Sequence, residues 1–206
     1  MMTDNLDMKK TDKALYNPPT KPVMVDVPPM HYLMIDGEGN PNTVPEYQTA
    51  IQTLYPLAYA VRAICKAKGQ PFTVMPLEGL WWFETDAPPE GVKNYKDAFL
   101  WTMMIRMPDF VTQAMVDEAK ATVAKKNPAL PLDQVRYECY EEGPSAQIMH
   151  IGSYSEEEPT IRRLHAFMAD GGYVHRSKHH EIYLSDARKT APEKLKTVIR
   201  HPVSEA

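Results

Sequence analysis

Apolar residues at Tyr47, Ile51, Leu54, Tyr55, Ala58, Val61 and Cys65 recur at spacings of three and four. That period predicts one amphipathic helix running up to Gly69, with a single buried stripe. Thr43-Val44-Pro45-Glu46 reads as the capping box that starts it, because a threonine hydroxyl and a glutamate three residues on can each take a free backbone N–H. Pro56 inside it predicts a kink. A second helix is expected over 110–126, where Val111, Met115, Ala119 and Val123 lie four apart and Asn127-Pro128 stops the chain. A third begins in Ser155-Glu156-Glu157-Glu158, read as another capping box, carries Ile161, Leu164, Phe167 and Met168 on one face, and ends at Gly171-Gly172.

Between the helices lie short β-branched and aromatic runs bounded by proline and glycine, which predict strands over 22–27, 31–36, 72–75, 78–84, 99–106, 135–142 and 146–154, with a last one over 179–185. Residues 1–21 read as a loosely docked arm, since Asn17-Pro18-Pro19 and Lys21-Pro22 oppose regular pairing. The remainder, 22–206, reads as one domain. Two stretches share a plan of strand, glycine turn and capped helix: MIDGEGNPNTVPEYQTAIQTLYPLAYAV and MHIGSYSEEEPTIRRLHAFMADGG. Strands follow each, so the expected fold is α+β, a tandem β-α-β-β duplication split at about 22–98 and 99–206 with the 110–126 helix inserted. Side by side the halves would make a curved antiparallel sheet with helices on one face and a ligand groove on the other.

Composition narrows the function more by exclusion. The 206 residues carry 23 basic and 27 acidic side chains, a net charge of −4, which leaves no basic face for nucleic acid. No run of apolar residues is long enough to cross a membrane and the N-terminal segment has no signal-peptide core, so a cytoplasmic protein is expected. Cys65 and Cys139 are far apart and read as reduced thiols, with Cys139 expected to be buried. The chain has 19 prolines and 13 methionines. The prolines enforce many loops, and the methionines suit an adaptable interior or ligand surface.

The candidate chemistry centres on HHEIYLSD at 179–186. Alternation in a strand puts Glu181 and Tyr183 on one face and Ile182 and Leu184 on the other. A carboxyl flanked by aliphatic residues is desolvated, which raises its pKa where no cation is near and poises it for acid–base work or cation binding. All three tryptophans, Trp81, Trp82 and Trp101, fall within about twenty residues. At most one of the adjacent pair can face a given cleft, where it could stack on a flat ligand. In Tyr137-Glu138-Cys139-Tyr140, one tyrosine could join Glu181, Tyr137 if the register is as read and Tyr140 if it slips by one. His175, His179 and His180 invite a metal reading, but HExxH is absent and the segment reads as loop then strand, so no metal is expected. Gly37 and Gly39 lack the context of a phosphate loop.

The segments PPMHYLMIDGEGNPN, LYPLAYAVR, PLEGLWWFE, MHIGSYSEEEPTIRRLH and HHEIYLSD together resemble the GyrI-like small-molecule-binding family, in its stand-alone bacterial branch. The resemblance implies a tandem, SHS2-like β-α-β-β fold with a ligand groove. It also implies that Glu181 matches the groove-floor glutamate that pairs with cationic drugs in related effector domains of multidrug-responsive regulators. Some stand-alone members look like hydrolases that add water to the strained ring of cyclopropanoid, DNA-alkylating natural products. On that reading the protein is a cofactor-free hydrolase of flat, hydrophobic xenobiotics with Glu181 and Tyr137 as its acid–base pair. Trp81, Trp101, Tyr183 and Met103 would line the groove, with Trp82 and Tyr140 as alternates. The other reading is a non-catalytic multidrug-binding or sequestering module in which Glu181 is a counter-ion.

Overall fold

A computed structural model describes residues 4–84 and 95–206. In chain order the elements are α1 (Met8–Thr11), α2 (Lys13–Tyr16), β1 (Val23–Val27), β2 (Met30–Glu38), α3 (Pro45–Ala67), β3 (Leu77–Trp82) and β4 (Leu100–Met107). They continue with α4 (Gln113–Lys126), β5 (Arg136–Tyr140), β6 (Gly143–Ile151), α5 (Glu158–Asp170), β7 (Tyr173–His175), β8 (His179–Tyr183) and β9 (Lys196–Glu205). The chain divides into two compact units, residues 1–8 with 30–140 and residues 9–29 with 141–206. Among the described residues no helix is long and apolar enough to cross a membrane.

In the first unit the antiparallel order is β3-β4-β2-β5. Paired residues share a face, so Trp81, Trp101 and Gly37 form one row, Gly79, Met103 and Ile35 the next, and Leu77, Ile105 and Leu33 the next. α3 packs on this face and buries Leu54, Ala58, Val61 and Cys65 of the expected stripe, but the buried face is turned toward Ala50, Thr53 and Leu57, which leaves Tyr47, Ile51 and Tyr55 half-buried. Gly37 is required by close approach: a Cβ there would lie 2.1 Å from the Trp101 ring.

The second unit repeats the plan. Its antiparallel order is β8-β9-β6-β1, with β7 added along the far part of β9. Each unit therefore runs β-α-β-β, with the fourth strand supplied by β5 in one and β1 in the other. Ala146, Ile148, Ile199 and Val203 pack against Leu164 and Met168 of α5, which makes the odd positions of β9 the helix face.

The opposite face of this sheet is closed by charge. Glu142 accepts from His180 Nδ1 at 2.9 Å and from Arg200 Nη1 at 3.0 Å. Arg200 also donates to the Gln147 side chain at 3.1 Å and to the Leu15 carbonyl at 2.7 Å, while Gln147 donates to the Ala14 carbonyl at 2.6 Å. The N-terminal segment is thus tied down by two buried side chains, with Leu15 and Tyr16 buried in turn, where loose docking was expected.

Other local expectations are corrected by backbone chemistry. Residue Val44 caps α3 without a side-chain bond, and Pro45 begins it, because the Thr43 hydroxyl points to the Asn40 carbonyl. α3 runs through Pro56. The second capping box is formed by Ser153 and Glu156 rather than Ser155 and Glu158, on a short 3-10 turn ahead of α5. Residues 72–75 form no strand beyond a parallel bridge from Phe72 to Leu6. The largest miss is β9, since 179–185 was read as the final strand. Its pattern, KTVIRHPVSE, hides a buried strand behind Arg200, His201 and Pro202, which the networks on the two faces hold in place.

Candidate functional site

Strand β8 carries the candidate chemistry because its alternation divides two kinds of residue. Glu181 pairs with Ile199 of β9, Tyr183 with Thr197, His180 with Arg200 and Ile182 with Val198. Glu181 therefore lies on the face that α5 covers, among His179, Tyr183 and the start of that helix, whereas Ile182 is buried on the reverse side.

The Glu181 side chain is 14% exposed, and both of its oxygens are engaged. His179 Nε2 donates to Oε1 at 2.8 Å. The Tyr183 hydroxyl donates to Oε2 at 2.7 Å, and the Tyr154 ring meets Tyr183 edge-on at 5.6 Å between centroids. Glu157, buried just before α5, also hydrogen-bonds to Glu181. Two carboxyl groups can do so only if one carries a proton, so the pair titrates as a unit. Burial pushes the Glu181 carboxyl up, but the hydrogen bond and charge of His179 and the bonds from Tyr183 and Glu157 outweigh it and hold it below the ordinary value. The expected rise applies only where no cation is near, and His179, two residues away on the same face, removes that condition.

The remaining candidates fall in the first unit. Tyr137 donates its hydroxyl to the Val111 carbonyl at 2.8 Å and stacks on His31 at 5.4 Å. Burial, then the nearby Asp109, pushes its phenol up to about 12. The phenol bonded to Glu181 is Tyr183. Trp81 and Trp101 share the α3 face and meet Tyr47 at 6.0 and 5.5 Å between centroids, with Trp81 also against Phe99 at 5.4 Å. Trp101 is 1% exposed and donates Nε1–H to the Gly39 carbonyl at 3.3 Å, a core role. Met103 is likewise buried on that face. Trp82 and Tyr140, opposite Leu100 and Met30, lie on the reverse face of the same sheet. Cys139 is exposed, not buried as expected, because it lies near the end of an edge strand; Cys65 is buried.

Sequence reasoning did not find His179, Glu157 and Tyr154 in this role. The signal for His179 was present: His179, Glu181 and Tyr183 at alternate positions must share a strand face. Glu157 was read only as first-turn acid of a helix, and its approach to Glu181 is set by tertiary packing. Among the described residues no group of three or more histidine, cysteine or acidic side chains is arranged to hold a metal ion.

The sequence profile of the GyrI-like small-molecule-binding domain matches residues 20–204. An uncharacterized conserved protein from Listeria innocua is 42% identical over 97% of this chain and 100% of its own, with a TM-score of 0.90. Two structures described as hydrolases from the same organism are similar too. One is 40% identical over 97% of this chain and 100% of its own, with a TM-score of 0.84. The other is 41% identical over 98% and 100%, with a TM-score of 0.86. No protein of curated function matches. A profile spanning nearly the whole chain, the repeated β-α-β-β plan and these full-length relatives agree that the chain belongs to the GyrI-like small-molecule-binding family.

Proposed function

We propose that this small-molecule-binding protein is a cofactor-independent hydrolase that adds water to the activated cyclopropane of cyclopropanoid, DNA-alkylating natural products. The observation that carries the reading is the state of Glu181. Its carboxylate is already answered by His179 at 2.8 Å, so its charge is compensated and offers little to a cationic drug, while it stays ionised and able to orient and deprotonate a water. The two Listeria hydrolases at 40% and 41% identity support the same reaction class.

The chemistry follows from the ring. In these compounds the cyclopropane is conjugated to a dienone, so attack of water at the cyclopropane carbon forms a C–O bond and breaks a ring C–C bond. The electron pair passes through the conjugated system to the carbonyl oxygen, giving a phenolate. Glu181 takes the proton that water releases. The Tyr183 hydroxyl, 2.7 Å from Glu181, turns to hydrogen-bond the developing phenolate. Tyr183 thereby replaces Tyr137 as the proposed partner.

The test is conversion of a cyclopropapyrroloindole-type compound in tenfold excess, followed by chromatography and mass, beside Glu181→Gln. Conversion beyond one equivalent that disappears in the variant supports the hydrolase. Unchanged compound recovered from a tight complex makes the protein a binder that sequesters its ligand.

A further inference from the structure

The turn that leads into α5 carries two side chains onto strand β8. Ser153 and Glu156 close it with their capping box, and the His150 ring bonds both to the Ser153 carbonyl at 3.1 Å and to the Thr160 hydroxyl at 3.0 Å. From this braced turn the Tyr154 ring meets Tyr183 at 5.6 Å between centroids, and Glu157 bonds to Glu181. Glu157 is 6% exposed, and its backbone carbonyl takes the Thr160 and Ile161 N–H groups at 2.9 Å each. Its main chain is therefore held beside the carboxyl it meets.

A hydrogen bond between two carboxyl groups holds one proton. The group that other donors surround keeps the charge, and its neighbour keeps the proton. His179 Nε2 and the Tyr183 hydroxyl both donate to Glu181, at 2.8 and 2.7 Å. We propose that Glu157 is a positioning residue of this site: its carboxyl keeps the shared proton and donates it in a hydrogen bond to Glu181, holding that group as an oriented carboxylate. The catalytic value of that arrangement rests on the hydrolase reading. An ionised carboxylate offers about four acceptor sites, so three donors leave one for the water. When Tyr183 turns to the phenolate, His179 and Glu157 still hold the carboxylate while it takes the proton. An ionised Glu157 would instead set a second anion beside the developing phenolate.

The other titratable groups on this face have partners of their own. Glu156 is bonded to Ser153 at 2.8 Å, Arg163 of α5 donates to the Thr160 hydroxyl at 3.3 Å, and Glu158 pairs with Arg162 at 2.7 Å. His201 of β9 reaches His179 at 2.7 Å, with His175 and His165 against its ring at 4.4 and 5.0 Å between centroids. β9 sets Ile199 opposite Glu181 and Thr197 opposite Tyr183, neither of which titrates.

The test is the titration of Glu181 in Glu157→Ala and Glu157→Gln. It is read from the acid limb of the pH–rate profile and, without turnover, from carbon NMR of the glutamate carboxyls. Loss of a donor in Glu157→Ala should move the Glu181 midpoint up by about one pH unit and lower kcat about tenfold at unchanged affinity for the compound. Glu157→Gln still has an N–H to donate and should return both toward wild type. A midpoint that falls in Glu157→Ala overturns the proposal, because it puts the shared proton on Glu181 and the charge on Glu157. A midpoint that stays in place, or a loss that Glu157→Gln does not relieve, overturns it as well. In the wild type at neutral pH the same spectra should show Glu157 protonated and Glu181 ionised, and the reverse order sinks the idea without any variant. If the wild type leaves the compound unchanged but the NMR midpoint rises in Glu157→Ala and returns in Glu157→Gln, the hydrolase reading fails and the acid–base order of the pair stands.

Discussion

Two carboxylates, one buried and one half-buried, lie on opposite faces of one sheet in the second unit, and their partners differ in kind. Glu142 faces Arg200 and His180, with its side chain and both partners at most 1% exposed. Glu181 faces His179, Tyr183 and Glu157, at 14% exposure. An arginine cannot release its proton, so the first network is fixed at every ordinary pH. The second is built wholly from groups that exchange protons. Adjacent residues of one strand, His180 and Glu181, thus belong to opposite networks: one joins the Glu142–Arg200 group that holds the N-terminal segment, and the other is the carboxyl proposed to react.

The largest effect that would sharpen this contrast is on turnover. Glu181→Gln should lower kcat by about 10²–10⁴-fold while the urea midpoint stays close to wild type; a large loss of stability instead would place Glu181 with the structural group. Arg200→Met should do the converse. It strands Glu142 in a closed site and should cost about 3–5 kcal/mol in urea unfolding, and a cost near zero would show that Glu142 is already neutral.

Acid titration gives the next test. Burial opposes ionisation of Glu142, but His180 and Arg200 overcome it and hold the carboxyl at about 2 against an ordinary 4.5. A depressed folded-state pKa contributes stability that is full above 4.5 and lost as pH falls toward 2. The integrated loss should be about 3 kcal/mol, read as a falling melting temperature across that window and absent in Glu142→Gln. The smallest effect is on the shape of the rate profile in Tyr183→Phe, beside the fall in kcat that follows from losing the hydrogen bond to the phenolate. Removing one hydrogen bond to the ionised Glu181 should raise its pKa, moving the acid limb of the rate profile upward by about half a pH unit to one.

Helix α3 was legible because one periodic stripe decides its type and most of its buried face, and Pro45 and Gly69 bracket it. The repeated β-α-β-β plan was legible too, but not its division: a split at 98 and 99 gives the strand over 99–106 to the second half, whereas β4 pairs with β2 and β3 in the first unit. β9 was not, because its inward positions include Thr197, Arg200 and His201, residues that enter a core only when partners distant in sequence neutralise them. Glu181 stood out by its aliphatic neighbours, but its charge state depended on His179 facing it and on Glu157 reaching it from the turn just before α5. Tyr137 failed as its partner for a similar reason: alternation fixes a face, not which acceptor a hydroxyl meets, and the Val111 carbonyl met it.

The pairing of β1 with β6 has a consequence for the order in which the protein is made. Val23 lies opposite Gln147, so the strand synthesised first waits until more than a hundred further residues have emerged. At the usual pace of translation that delay is on the order of ten seconds. The stretch 30–140, which forms nearly all of the first unit, emerges complete within that interval. The second unit closes last, around a strand that has stood beside the ribosome with its edge open.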